Sequence, residues 1–168
     1  YGVEITGDNV IFDGFDLRGF GQGGIYFGRL RDTQKNVVIT RVSVEGGVDG
    51  VRSVVRGGRS KSPVISGLLL YDVQIVGAAL GFNCGEGPCN NVRIERVTVR
   101  GQDTGGDTSA DAIAFESGAN LAVIDSDITG VPGDGVDTKA DGVLVQNVFV
   151  HDVGRNGIKL WRGGDIVN

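Results

Sequence analysis

NVRIERVTVRG, from Asn91 to Gly101, contains two short runs of alternating apolar residues that Glu95 and Arg96 separate. A period of two is typical of strands that bury one face, and both runs are too short for a helix. The same phrase recurs as NVIFDGFDLRG from Asn9, NVVITRVSVEG from Asn36, GLLLYDVQIVG from Gly67, NLAVIDSDITG from Asn120 and GVLVQNVFVHD from Gly142, and a further copy begins at Gly164. The chain therefore repeats a unit of strand, sharp turn and strand.

A second motif, a small residue followed by alternating apolar residues, lies between successive phrases. We place it at GIYF from Gly24, GVRS from Gly50, ALGF from Ala79, AIAF from Ala112, GVDT from Gly135 and GIKL from Gly157. It predicts a third strand in each repeat. Successive phrases begin 22 to 31 residues apart, which suits a three-stranded β-helical coil with loop insertions.

The repeat predicts an all-β protein, a right-handed parallel β-helix. We expect a solenoid of about six coils with three short strands per coil, forming one domain over residues 1–168. Barrels and sandwiches would show hairpin turns and longer strands, and the leucine-rich consensus is absent. Because the chain starts and stops within the repeat, we expect it to be a fragment of a longer solenoid.

The apolar slots of the two motifs predict two buried stacks. The first consists of Val10, Ile39, Leu70, Ile94, Val123 and Val145. The second consists of Ile25, Val51, Leu80, Ile113, Val136 and Ile158. The asparagines that open four phrases are expected to adopt the left-handed conformation and to stack as a ladder of side-chain amides.

Composition excludes several functional classes. The 16 basic residues against 21 acidic ones give a net charge of -5 without a basic stripe, which argues against a nucleic-acid partner. No apolar run reaches the ~18 residues of a membrane span, so no membrane association is expected. Cys84 and Cys89 lie in NCGEGPC, where a surface loop could join them in a disulfide typical of exported proteins, or leave them as free thiols.

Stacked coils bring equivalent positions of the third strand together. The outward column should read Tyr26, Arg52, Gly81, Ala114, Asp137 and Lys159, and the column before the strand Gly23, Asp49, Ala78, Asp111, Asp134 and Asn156. Glu116, Lys139 and Trp161 form a further outward column. The carboxylates of Asp111, Asp134 and Asp137 would repel one another unless a cation joined them, and such oxygen ligands suit Ca²⁺. A lysine beside that cation would have a lowered pKa and could act as a base.

GDGVD at 133–137, paired with NGIKLW at 156–161, resembles the calcium cluster and catalytic lysine of family 9 polysaccharide lyases, which are pectate-lyase-like β-helix enzymes. The resemblance implies metal binding by Asp111, Asp134 and Asp137, and a general-base role for Lys159. Two features depart from the family's pattern. Gly133 stands where the family tends to have a further Asp, and the spacing to the lysine is shorter.

The first functional hypothesis is an exported, monomeric, calcium-dependent lyase that cleaves a uronate polysaccharide by β-elimination. Arg52 and Trp161 would bind this acidic polysaccharide, and Arg56, Arg59 and Lys61 would extend the subsite. The alternative is a non-catalytic extracellular surface or carbohydrate-binding module, in which Asp134 and Asn156 complete turns. A glycosidase with paired carboxylates is a third possibility. His151 lies in a turn away from these residues.

Overall fold

The computed structural model describes residues 1–28, 33–53, 64–85, 87–101 and 109–168, which form strands and turns without a helix. None of these residues therefore belongs to a helix long and apolar enough to cross a membrane. In chain order the strands are β1 (Val3–Ile5), β2 (Ile11–Asp13), β3 (Asp16–Arg18), β4 (Gly23–Phe27), β5 (Thr33–Glu45), β6 (Asp49–Ser53), β7 (Val64–Val76), β8 (Leu80–Cys84), β9 (Cys89–Glu95), β10 (Thr98–Arg100), β11 (Ile113–Phe115), β12 (Gly118–Ile124), β13 (Asp127–Thr129), β14 (Val136–Thr138), β15 (Asp141–Gln146), β16 (Phe149–His151), β17 (Ile158–Leu160) and β18 (Gly164–Val167).

The strands form two sheets in which the described pairings are all parallel. Sheet A has seven strands in the order β1-β4-β6-β8-β11-β14-β17. Sheet B has eleven strands. Eight of them follow the order β16-β13-β10-β7-β9-β12-β15-β18, and the other three are β5, which pairs with β7, and β2 and β3, which pair with β5. After each strand of sheet A from β1 to β14, the chain passes through sheet B and returns beside the strand it left. The all-β, parallel prediction is therefore confirmed.

The chain turns at equivalent positions of successive phrases. Asn9, Asn36, Asn91 and Asn120 have φ values of 53 to 59°, the left-handed conformation that asparagine tolerates better than most residues. The side-chain amide of Asn36 donates to Asn9 Oδ1 at 3.0 Å, and that of Asn120 donates to Asn91 Oδ1 at 3.1 Å. The predicted ladder is confirmed in these two steps, and Gly67 interrupts it between Asn36 and Asn91.

Most members of the two predicted stacks lie in the core. The buried ones are Ile39, Leu70, Ile94, Val123, Val145, Ile25, Val51, Ile113 and Val136. Val10 was the wrong choice, because Phe12 pairs with Ile39 and both Val10 and Phe12 are only half-buried in the first repeat. Ile158 is half-buried because β17 is the last strand of sheet A.

The third-strand motif of the third repeat is displaced by two residues from its predicted position. Phe82 pairs with Val51 and Ile113 and is buried, whereas the predicted Leu80 is half-buried. A displacement of two residues preserves the apolar alternation, so ALGF and the correct GFNC satisfy the pattern equally well. The required small residue is Gly81, because a Cβ there would collide with the carbonyl oxygen of Ala112.

Cys84 and Cys89 form a disulfide with a Cα–Cα distance of 6.4 Å, which confirms the prediction of a bond. It joins the end of β8 in sheet A to the start of β9 in sheet B. Gly85 and Pro88 of the loop are half-buried, so the expected surface loop is confirmed in part for its described residues, but both cysteines and Gly87 are buried. The reason is that Cys84 occupies an inward position, paired with Phe115 in the neighbouring strand.

Candidate functional site

The outer face of sheet A carries the predicted columns with one change of register. Asp137 pairs directly with Lys159, and Ala114 pairs with Asp137, as predicted. In the third repeat Asn83, rather than Gly81, pairs with Arg52 and Ala114. Asp49 correspondingly pairs with Leu80 rather than Ala78. The displacement of β8 by two residues accounts for both corrections.

Asp111, Asp134 and Asn156 form a ladder at the entrance to three successive strands of sheet A. The backbone N–H of Asp134 donates to Asp111 Oδ1 at 2.7 Å. The backbone N–H and side-chain amide of Asn156 donate to Asp134 Oδ1 at 2.7 and 2.8 Å. Each carboxylate therefore holds the turn of the next repeat, which is the structural role of short polar side chains at turns.

Lys159 contacts one carboxylate oxygen each of Asp134 and Asp137. Its Nζ lies 3.2 Å from Asp134 Oδ2 and 3.7 Å from Asp137 Oδ2. The Asp134 side chain is 2% exposed and the Asp137 side chain 11%, whereas that of Lys159 is 32% exposed. The carboxylates thus lie underneath and the ammonium group lies toward solvent. The expectation that Asp137 is solvent-accessible is wrong, because Lys159 and Trp161 cover it.

Trp161 lies across this group of charges. Its indole Nε1–H donates to Asp137 Oδ1 at 2.6 Å, which fixes the ring over the preceding strand. The Nζ atoms of Lys159 and Lys139 lie 4.5 and 5.7 Å from the ring centroid, within range of cation–π attraction. Lys139 is also ion-paired with Glu116. Trp161 is nevertheless 57% exposed.

The three carboxyl groups have different electrostatic environments. Burial raises the pKa of Asp111, and the charges of Asp134 and Asp137 add to this effect against the hydrogen bond from the Asp134 backbone. Burial would also raise the pKa of Asp134, but the hydrogen bonds from Asn156 and Lys159 lower it below its ordinary value. The hydrogen bond to Asp134 and the charges of the three carboxylates raise the pKa of Lys159. Lys159 is therefore an ammonium ion at neutral pH in this arrangement.

The expected calcium ligands do not fit a calcium ion as they are arranged. Five of the six carboxylate oxygens of Asp111, Asp134 and Asp137 already face an N–H group or the ammonium of Lys159. Across the described ranges no group of three or more Asp, Glu, His or Cys side chains is placed to hold a metal. A calcium ion would have to displace Lys159 from this position.

Arg52 lies on the same face but outside this group. Its guanidinium donates to Asp49 Oδ2 at 2.8 Å. Asp49 is 1% exposed, and its burial raises its pKa against the hydrogen bonds from Arg52 and Asn83. Four strand spacings separate β6 from β17, roughly 19 Å at ~4.8 Å per strand, so Arg52 and Lys159 do not share one pocket.

A shallow depression between these two positions is lined by Arg52, Asn83, Asp111, Ala114 and Glu116, among others. Asn83 was not predicted to lie on this face, because the predicted register of β8 placed Gly81 at that position. The collision that a side chain at Gly81 would cause is the feature that fixes that register. The predicted extension of the subsite by Arg56, Arg59 and Lys61 lies outside the described residues.

His151 lies at the end of strand β16 of sheet B rather than in the expected turn, but it is away from these residues as expected. Its Nδ1 contacts Asp152 Oδ2 at 2.8 Å, and its Nε2 lies 3.5 Å from Asp127 Oδ1.

Comparison of the chain with protein-family models, with curated proteins and with solved structures finds no match. Function is therefore inferred from the site itself.

Proposed function

We propose that the chain is a right-handed parallel β-helix of an exported protein and that it binds an acidic polysaccharide along the outer face of sheet A. The observation that carries the proposal is the half-exposed indole of Trp161 with two lysine ammonium groups beside it. Sugar rings stack on aromatic faces through their apolar C–H surface. A uronate stacked there would bring its carboxylate close to Lys139 and Lys159.

The lysines of the site are more exposed than most of its carboxylates, and this difference supports binding of an anionic ligand. Asp134 and Asp137 are almost completely covered, whereas Lys139 and Lys159 are each about one-third exposed. The carboxylates position the ammonium groups from below, and an approaching polymer meets the ammonium groups first. Glu116 is the exception, and its ion pair with Lys139 offsets its charge.

The strand order supports the β-helical arrangement. The last three strands of sheet A are offset by 23 and 22 residues, and β12 and β15 of sheet B pair with an offset of 22 residues. One complete unit of the sequence repeat thus separates neighbouring strands in both sheets. The buried disulfide supports export, because such bonds persist in oxidising compartments.

Affinity electrophoresis in gels that contain polygalacturonate, alginate or neutral dextran tests the binding proposal. We expect the wild-type protein to be retarded by an acidic polymer, and Trp161→Ala to weaken this binding about tenfold, or about 1.4 kcal/mol. Phe149→Ala is the matched control, because Phe149 is an aromatic residue on sheet B that is 66% exposed. Equal retardation of the wild type and Trp161→Ala, or none of the wild type in either acidic polymer, would refute the proposal.

A second candidate is the uronate lyase, which the pairing of Asp137 with Lys159 on adjacent strands of sheet A favours. In β-elimination a base removes the proton beside the uronate carboxyl group, and Lys159 can accept it only when neutral. Because the carboxylates raise its pKa, activity should increase toward alkaline pH. Formation of unsaturated uronide is read by ultraviolet absorbance with calcium and with chelator. Absence of product from every uronate polymer at neutral and alkaline pH would eliminate this candidate.

A further inference from the structure

We propose that the ammonium group of Lys159 is a built-in cation, which occupies the position between Asp134 and Asp137 that a calcium ion would need. The inference concerns how the site balances its charge and does not depend on whether the ligand is a polysaccharide. Its consequence is a wild-type site that is independent of calcium and a lysine-free variant that acquires calcium binding.

One oxygen of Asp134 and one of Asp137 are directed at the same ammonium group. Asp134 Oδ2 and Asp137 Oδ2 both face Lys159 Nζ, at 3.2 and 3.7 Å, although the two residues enter the site from different positions of one repeat. The other oxygens of these residues are bound by Asn156 and by the Trp161 indole. The two oxygens directed at one point therefore share a single positive charge.

The two carboxylates that contact Lys159 are buried. Asp134 and Asp137 are among the few buried charged side chains of the described residues, and unpaired carboxylates with so little exposure would be strongly destabilising. Asp134 and Asp137 can therefore both stay ionised only if a cation lies beside them. Lys159 supplies it from the paired position of the next strand, so no ion from solution is needed.

Removal of the ammonium group should leave the same oxygens directed at an open position. Oxygen ligands of this type bind Ca²⁺ at 2.3–2.6 Å, and the space vacated by the lysine head group would admit the ion together with water. The site has two anionic ligands directed at this point and a third carboxylate, Asp111, hydrogen-bonded to the backbone of Asp134. We expect weak binding, on the order of the 10⁻⁴–10⁻³ M typical of extracellular calcium modules.

The test compares thermal unfolding of the wild type, Lys159→Ala and Lys159→Gln with and without calcium at constant ionic strength, supported by calorimetric titration with CaCl₂. We expect no calcium-dependent change in the Tm of the wild type. In the absence of calcium, the Tm of both variants should be lower than that of the wild type. It should rise by roughly 5–10 °C at a calcium concentration about one hundred times the dissociation constant.

Two controls identify the ligands of the variant site. Lys139→Ala removes a lysine that is paired with a single, more exposed carboxylate, Glu116, and should show no response to calcium. Adding Asp137→Asn to Lys159→Ala should abolish the gain, because it removes one of the two directed oxygens. Polygalacturonate binding by the wild type is measured separately, so a negative result there leaves this test intact.

A variant that folds only in the presence of calcium supports the inference as strongly as a shift in Tm. Calcium-dependent stabilisation of the wild type would overturn it, since the ion would then bind without displacing the lysine. Failure of both Lys159→Ala and Lys159→Gln to respond to calcium would also overturn it, because the lysine would not then be holding a cation position.

Discussion

Asp134 connects three repeats of the chain through one residue. Its backbone N–H is held by Asp111, its Oδ1 holds the turn at Asn156, and its Oδ2 receives the Lys159 ammonium. The first two contacts form a turn ladder, which agrees with the expectation that Asp134 and Asn156 complete turns. The third couples that ladder to the charge of the exposed face.

The lowered pKa of Asp134 predicts how its contribution to stability changes with pH. Its folded-state pKa lies below the unfolded value of ~3.9, so the stabilisation is present above that value and is lost as pH falls through the folded-state pKa. Asp134→Asn should therefore cost about 1–3 kcal/mol at pH 7, and the cost should shrink below about pH 3.9.

Urea unfolding of the wild type and Asp134→Asn between pH 2 and pH 7 measures this effect. Asp141→Asn serves as the control, because Asp141 is an exposed residue that forms a surface ion pair with Arg162 at 3.4 Å and should contribute about 0–1 kcal/mol throughout. A cost for Asp134→Asn that is independent of pH would mean that its charge does not stabilise the fold.

At the residue scale, sequence reasoning identified positions but not side-chain directions. The repeat correctly aligned Asp137 with Lys159, because backbone register follows from the repeated phrase. It could not predict that the flexible lysine side chain reaches back to Asp134, or that the Trp161 indole covers Asp137. These contacts depend on rotamers, which a pattern of residue types does not specify.

Strand β8 is the element for which pattern and structure disagree. Leu80 and Phe82 both fit an apolar period of two. Phe82 takes the core position opposite Ile113 because the backbone at residue 81 passes so close to the next strand that only glycine fits there. Phe82 also packs against Phe115, with ring centroids 5.1 Å apart. The other third-strand positions were predicted correctly, since Ile25 pairs with Val51, and Val136 pairs with both Ile113 and Ile158.

Alanine substitutions of Phe82 and Leu80 distinguish the observed register of β8 from the predicted one. Phe82→Ala should lower the free energy of unfolding by about 3–5 kcal/mol, since it opens a cavity in the core. Leu80→Ala should cost distinctly less, because Leu80 is half-buried. Urea denaturation at neutral pH measures both values. The reverse order of the two costs would restore the predicted register and contradict the observed one.

At the scale of the whole molecule, the sequence predicted the all-β, parallel organisation because every repeat contains the same strands in the same order. The lengths of the sheets follow from the number of phrases, and the turns follow from asparagine and glycine at fixed positions. The calcium site could not be predicted equally well. A motif gives the identities of the carboxylates, whereas cation binding depends on which oxygens remain available after the chain has satisfied its own N–H groups and its own lysine.

A β-helical chain should tolerate loss of a whole repeat but not of half a repeat. Deletion of residues 121–142 joins Asn120 to Val143, which pairs with Leu121, and therefore preserves the phrase and the register of later strands. We expect this variant to retain its far-ultraviolet circular dichroism and to unfold cooperatively. Deletion of residues 121–131 should unfold the protein or cause aggregation. Equal tolerance of the two deletions would contradict the β-helical arrangement.

Fluorescence titration of the wild-type protein tests the proposed binding surface most directly, because Trp161 is the single tryptophan of the chain and lies in the proposed site. Addition of polygalacturonate should produce a saturable change in tryptophan emission that weakens as salt is raised, since Lys139 and Lys159 contribute electrostatic attraction. Neutral dextran at the same concentration should produce no such change. Unchanged emission across the titration with the acidic polymer, or an identical response to dextran, would contradict acidic-polysaccharide binding at this surface.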